Sequence, residues 1–478
     1  RLKAFKERKR IGGGTGEAHG DSAIVDRSYL ARVALDDNVV HRDMVKELEH
    51  YMRKMVVNSE KFEKEIVTLT KAKQLLKNKK KYNNLGLLQK HPGKEVTLYK
   101  CSNDIVSFYG KIVPRASYLK NFQLVYYPPG LIVSFPTKQS PDSLPEFQEQ
   151  SRLFRVFQTH KKYAKILDVN NISQLNSLIN DKEISNLIRV TEAIQEKLIG
   201  HIADKINKDI TNIKLILIAG PSSSGKTTFA KRLAIHLKVN GIDTYSLSLD
   251  DYFRDRDVMP IDENGKYDFE GVDAVDIPLL NEHLNQLADQ KEIMKPEFNF
   301  GTGKRKEERV PLKLKPGQIL ILEGIHALNP KLTPFIHELQ KFKIYISALT
   351  VLNIDSYNRI PTTDLRLTRR IVRDHFYRSY TALDTLGRWY SVRRGENNYI
   401  FPFQNTADVM FNTALIYELA VLKPYAEKLL KGVPVHTDEY SEAQRLLTFL
   451  SYFEKLPPDD VPPTSILREF IGKSSFKY

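Results

Sequence analysis

The stretch LILIAGPSSSGKTTFAKRLAIHLKVNG (residues 215–241) organises everything around it. Five apolar residues run into a loop of glycine, proline and serine, and a segment with helical spacing leaves it. Gly220, Gly225, Lys226 and Thr227 satisfy the pattern G-x-x-x-x-G-K-[ST]. A strand in front and a helix behind are the context that gives this pattern its meaning. Glycines let backbone amides turn inward around phosphate oxygens, and the helix start adds partial positive charge. Lys226 then reaches the outer phosphates and Thr227 offers its hydroxyl to Mg²⁺. Ser222, Ser223, Ser224 and Thr228 complete the candidates for binding a nucleoside triphosphate, ATP or GTP, with Mg²⁺.

Working outward, three more segments carry chemistry. TYSLSLDDYFRD (244–255) ends an apolar run on Asp250 and Asp251. Ligands of open α/β sheets sit at that carboxyl edge. An acid there accepts the proton of an attacking hydroxyl or holds water on Mg²⁺; aspartates at strand ends also cap loops. ILILEGIHAL (319–328) delivers Glu323 in the same way, as a second group on the Mg²⁺ side. In TTDLRLTRRIVRDHFYRSY (362–380), Arg366, Arg369, Arg370 and Arg373 are spaced three, one and three apart. On a helix they share one side, and guanidinium forks suit phosphate oxygens.

The rest of the chain bounds the setting. It has 478 residues with 73 basic and 58 acidic side chains, a formal charge of +15, which favours polyanionic partners. A single cysteine, Cys101, excludes an internal disulfide and argues against a cysteine-based zinc site. It fits a reducing compartment, and the cytoplasm is the expectation; the sequence begins at Arg1 rather than Met, which leaves a targeting segment open. The longest apolar run is five residues (Leu215–Ala219) where a bilayer span needs about twenty, so no membrane helix is expected.

Residues 1–40 read as a flexible tail or linker, rich in basic residues and then glycine. Apolar spacing predicts an amphipathic helix over Asp43–Val57. KNKKKYNN (77–84) reads as a charged, solubilising loop, and short strands follow in EVTLYK, IVSFYGKIV and FQLVYY-PPG-LIVSFP. Together they predict a small α+β module over 41–136, with a connector and helices over 137–190. Beyond, apolar runs at Lys214–Ala219, Asp243–Leu249, Ile319–Leu322 and Lys343–Ala348 alternate with helical stretches. The expected class is therefore α/β, a mostly parallel sheet flanked by helices over 191–435. A C-terminal helix (Ser441–Phe453) and tail, 436–478, would pack on it.

These pieces resemble, in order, the uridine kinase and phosphoribulokinase family of P-loop kinases: GPSSSGKTT, SLDDYF, YDFEGVDAVD, PEFNFGTGKRKEE, ILEGIHAL and DLRLTRRIVRD. RRGENNYIFPFQNTADVMFNTALIYELAVLKPYA and the ending PPTSILREFIGKSSF resemble a longer branch described as nucleoside kinases. In that branch the kinase follows a module related to the second N-terminal domain of threonyl-tRNA synthetase, and DIVSFYGKIVPRASYLKNFQL is similar to part of it. The resemblance implies phosphoryl transfer from ATP to a hydroxyl of a nucleoside, of uridine or cytidine type, or a related small molecule. It implies Asp250 as general base with Lys226, Arg366 and Arg369 as catalytic partners, the two arginines closing over the phosphates. Thr227, Asp250 and Glu323 would be metal-side groups, and Asp268, Phe298, Arg305 and Arg366 would bind substrate.

Two departures stand out. Uridine kinases carry a Tyr and a His at the base-contacting places where this chain has Phe298 and Gly303. In the N-terminal module the editing His-x-x-x-His pair is absent: His41 and His50 are nine apart, and Phe108 and Ile112 stand at the Cys and His places. Two other readings compete with a metabolic kinase: a kinase-fold component of a larger assembly, and an RNA-binding P-loop protein. The second ranks behind because no aromatic platform interleaves with the basic residues. A homo-oligomer is compatible with any of them.

Overall fold

The computed structural model describes residues 28–29 and 40–477, apart from 92, 103, 109–111, 129, 138–139, 148, 150, 262–264, 266 and 356–357. The tail or linker expected over 1–40 lies almost wholly outside the described residues. The chain divides into two compact units, one of residues up to 149 with 170–174 and 352–360, the other of the remainder.

The first unit has two small cores. Strand β1 (Ser28–Tyr29) and helix α1 (Arg42–Val57) precede β2 (Phe62–Thr68), α2 (Leu69–Asn78), α3 (Tyr82–Leu88), β3 (Glu95–Cys101), β4 (Asp104–Ser107), β5 (Gln123–Tyr127) and β6 (Gly130–Ser134). Val45 and Leu48 of α1 pack on Leu124, Leu131 and Val133 of the β5–β6 hairpin. The antiparallel sheet β2-β3-β4 buries Val67, Val96 and Leu98 against Ala72 and Leu76 of α2. Sequence reading missed β2 and α2. Of the seven residues in β2 only Val67 is buried, so the strand has almost no alternation to read. The segment 77–84, expected as a loop, instead closes α2 and opens α3. Lys81 within it is buried and pairs with Asp104 at 2.7 Å, so it is not a solvated charge.

The second unit starts with α4 (Ser151–Leu167), α5 (Ile172–Asn180) and α6 (Ile184–Lys208). Helix α6 buries Leu187, Ile188, Thr191, Gln195, Ile199, Ile202 and Ile206, a repeat of three and four that gives it one buried face. Then come β7 (Leu215–Ala219), α7 (Lys226–Val239), β8 (Thr244–Ser248), α8 (Ile277–Ala288), β9 (Ile293–Lys295), β10 (Phe298–Asn299), β11 (Lys304–Arg305), β12 (Val310–Leu312), β13 (Ile319–Glu323) and β14 (Lys341–Ser347). Helices α9 (Thr362–Arg378) and α10 (Ala382–Gly395), strand β15 (Val409–Asn412), α11 (Glu418–Leu430), α12 (Tyr440–Ser451) and α13 (Arg468–Ile471) complete it.

Five strands form one sheet in the order β15-β14-β7-β13-β8, parallel throughout. All five residues of β7 and all five of β13 are buried, the near-continuous apolar runs expected of strands covered on both faces. Because β7, β13 and β8 are neighbours, the three carboxyl ends that carry the phosphate loop, Glu323 and Asp250 lie side by side. Among the described residues no helix is long and apolar enough to cross a membrane.

Candidate active site

The loop between β7 and α7 turns through two left-handed residues, Ser223 (φ +60°) and Gly225 (φ +84°). For glycine that conformation is free, whereas for serine it costs energy the surroundings must supply. Gly220 is required for a different reason: a Cβ there would sit 2.1 Å from the carbonyl oxygen of Ile346. The hydroxyls of Ser223 and Ser224 are buried without a hydrogen-bond partner among the described residues.

The expected partners gather beside this loop. The Thr227 hydroxyl donates to Glu323 Oε1 at 3.1 Å, joining the first turn of α7 to the end of β13. Burial pushes the Glu323 carboxyl up to about 7, although Lys226 pulls the other way. The Lys226 ammonium is pushed down by burial, against the opposing pull of Glu323, Asp250 and Glu469. The adjacent aspartates divide. Asp251 accepts from Lys295 Nζ at 2.8 Å, while Asp250 lies 4.0 Å from the Arg378 guanidinium and acts electrostatically on Lys226 and Glu323. Of the two, Asp250 is the one whose charge acts on the loop's lysine.

The arginine helix α9 sorts its guanidiniums into two groups. Arg366 and Arg369, expected to close over the phosphates, are fully committed to the protein and 1% and 0% exposed. Arg366 pairs with buried Glu396 and donates to the Ser222 carbonyl at 3.0 Å. Arg369 donates to Glu418 at 2.6 Å, to both oxygens of Thr413, and to the Ser223 carbonyl at 3.3 Å. They brace the loop through its carbonyls rather than presenting charge to a ligand. Arg370, Arg373 and Arg378 form the second group, gathered around one buried carboxylate, Asp374, at 3.2, 2.6 and 3.9 Å. Arg370 also donates to the Ser222 hydroxyl at 2.9 Å. Burial beside these like charges pushes the Arg378 guanidinium down to about 10. The one-three spacing signalled Arg370 and Arg373; Arg378 stood outside it.

The three remaining candidates lie in the segments between β8 and β13. Asp268 accepts from the backbone amides of Glu270 and Gly271 at 3.2 and 3.1 Å, which shapes the turn it stands in. Phe298 packs edge-on against Phe253 and Phe300, and Arg378 lies 4.2 Å over the Phe300 ring. Arg305, expected to bind substrate, donates through all three guanidinium nitrogens to Phe253 O, Asp276 and Tyr252 O. It fastens the segment after Asp251 to the β10–β11 hairpin. At Gly303 (φ +72°), the place of the uridine kinase histidine, a Cβ would lie 2.2 Å from Arg256 Nε. The Arg256 side chain fills that space and donates to Tyr380 Oη at 3.2 Å and Phe300 O at 3.1 Å.

Among the described residues no three His, Cys, Asp or Glu side chains converge as a metal cage. Mg²⁺ takes one or two protein oxygens and fills its octahedron with phosphate and water. A hydroxyl at Thr227 against the Glu323 carboxylate, with Asp250 nearby, is an oxygen-only set of the right hardness.

The family model of the phosphoribulokinase and uridine kinase family matches residues 215–418. The uridine kinase of Clostridium botulinum (strain Kyoto / Type A2) is 33% identical over 197 residues, 41% of this chain and 86% of that protein. The uridine kinase of Bacillus cereus (strain AH820) is 32% identical over 202 residues, 42% of this chain and 86% of that protein. Of solved structures, a possible uridine kinase from Bacillus stearothermophilus aligns with a TM-score of 0.29 at 20% identity, over 44% of this chain and 97% of that one. With the loop, the parallel sheet and the matched span in agreement, the chain belongs to the phosphoribulokinase and uridine kinase family of P-loop kinases and is a phosphotransferase of that kind.

Proposed function

We propose that the protein transfers the γ-phosphoryl group of ATP to a hydroxyl of a nucleoside or a related sugar-containing small molecule. The observation that carries this reading is the cluster of Thr227, Glu323, Lys226 and Asp250 at the adjoining ends of β7, β13 and β8. Mg²⁺, held by the Thr227 hydroxyl and the Glu323 carboxylate, would neutralise phosphate charge. Lys226 supplies a point charge to the outer phosphates. Asp250, partly exposed just beyond the end strand β8, takes the acceptor's proton. Arg370, Arg373 and Arg378, gathered around Asp374 with Arg370 on the Ser222 hydroxyl and Arg378 near Asp250, would compensate charge on a transferring phosphoryl group. Asp268, Phe298, Phe300 and Arg256 would contact the acceptor. Relatives named uridine kinase favour a nucleoside, while Phe298 and the Arg256-filled space at Gly303 remove side-chain groups that would read a pyrimidine base.

We read the first unit as the synthetase-like module of the resemblance, an accessory without editing chemistry. The test of the whole reading is ADP formation from Mg-ATP with a panel of nucleosides and sugar phosphates, run beside Asp250→Asn. Acceptor-dependent turnover lost in the variant supports it, and a variant with full activity removes Asp250 from the mechanism.

A further inference from the structure

Near its end the chain returns to the phosphate loop. Ser465, Ile466, Leu467 and Phe470 are each 0% exposed, so the segment around Glu469 is fixed on both sides. Ser465 donates to Glu192 at 2.5 Å, and the same oxygen takes the Tyr417 hydroxyl at 2.6 Å. Ile466 lies against the loop itself, because a Cβ on Gly225 would meet its Cγ2 at 2.6 Å. Phe470 carries the Arg369 guanidinium over its ring at 4.9 Å.

Between these anchors, Glu469 Oε2 accepts two hydrogen bonds from Thr228, from the amide at 3.1 Å and from the hydroxyl at 2.6 Å. Thr228 is the third residue of α7, so its amide is one of the donors at a helix start that find their acceptors outside the helix. Those donors are the ones a phosphate uses at such a site. A carboxylate already holds the one at Thr228, and its charge reaches Lys226 and Glu323 as well.

We propose that Glu469 is a resident competitor for donor phosphates: its carboxylate occupies the anion position at Thr228, so that like-charge repulsion there sets the affinity for donor and diphosphate product. The inference rests on the nucleotide reading of the loop and adds to it a residue 241 positions away. An ordinary helix cap would make the same two hydrogen bonds, but the two roles predict opposite effects of neutralising the side chain. Glutamine keeps an acceptor oxygen for Thr228 and removes the charge. If Glu469 only caps α7, Glu469→Gln leaves nucleotide binding unchanged or weakens it. A damaged site loosens its ligand, whereas loss of a competitor tightens it.

The experiment is a fluorescence titration of wild type, Glu469→Gln and Glu469→Ala with mant-ADP and with mant-ATP and Mg²⁺, taking Lys226→Ala as the blank. The expected result is a Kd lower by about tenfold or more in Glu469→Gln, the scale of removing one close like charge at a partly buried site. Glu469→Ala should move the same way, which guards against a fault specific to glutamine. Unchanged or higher Kd in both variants overturns the inference while leaving nucleotide binding intact. If wild type and both variants all match the Lys226→Ala blank, the nucleotide reading itself falls, and this inference with it.

Discussion

Replacing Arg369 and Arg373 in turn by methionine separates the two groups of arginines on α9. Arg369 is 0% exposed and serves Glu418, Thr413 and the Ser223 carbonyl. Methionine keeps much of the volume against Phe470 but leaves Glu418, 1% exposed, without its cation. Breaking a buried pair from one side costs about 3–5 kcal/mol. In a unit of this size each kcal/mol lowers the melting temperature by about 2 °C, so a fall of roughly 6–10 °C is expected. Adding Glu418→Gln should recover at least half of it, because the stranded charge is gone. Arg373 is different: its partner Asp374 keeps Arg370 and Arg378. Arg373→Met should therefore shift melting by less than about 3 °C and lower kcat by about 10²–10³, the scale of losing one charge-stabilising donor. Differential scanning fluorimetry and ADP release on the same preparations read both. The reasoning is refuted if Arg369→Met melts like wild type, or if Arg373→Met keeps full kcat with an acceptor that wild type phosphorylates.

Three other outcomes follow from the geometry. Glu323 holds its proton up to about 7 in the folded chain against an ordinary value of 4.5, so its contribution to stability is present at low pH and is lost as pH rises through 7. Ionising it costs the fold about 3 kcal/mol; a cation beside it offsets this, so the melting shift on adding Mg-ATP should grow from pH 6 to pH 8 in wild type and stay flat in Glu323→Gln. Lys226→Ala should abolish nucleotide binding by equilibrium titration while the far-ultraviolet circular dichroism is unchanged, because the contact its ammonium makes, 3.5 Å to the Pro221 carbonyl, lies within the loop. Gly220→Ala forces a Cβ to 2.1 Å from the Ile346 carbonyl oxygen. It should cost more than 2 kcal/mol, about the scale of overpacking a rigid backbone contact, read as a melting loss together with weaker nucleotide binding.

What the sequence disclosed about the fold followed the strength of its local signals. Strands β7 and β13 are buried on both faces and read as unbroken apolar runs, and α6 repeats its buried residues every three or four positions. Strand β2 has one buried residue in seven and gave nothing. Strand β15 (VMFN) is four residues at the sheet edge, too short to show a period. At the site, Lys226, Thr227, Asp250 and Glu323 were legible because each sits at a strand end within a few residues of a pattern. The roles within the arginine helix were not. Which guanidiniums face the loop depends on where Glu396, Glu418 and Asp374 lie, and two of those acids come from other segments. Glu469 left no local trace at all, since its partner Thr228 is met only through the folded chain.

Acceptor-dependent ADP release is the most direct test of phosphoryl transfer at this loop. Mg-ATP is offered with each of a series of nucleosides and sugar phosphates, to wild type and to Asp250→Asn, with nucleotide affinity measured on both. The account predicts that at least one acceptor raises ADP release in wild type, and that the variant binds Mg-ATP equally well but loses that increment. Acceptor-dependent release that persists in Asp250→Asn, or a wild type that binds Mg-ATP and turns over none of the series, would contradict it.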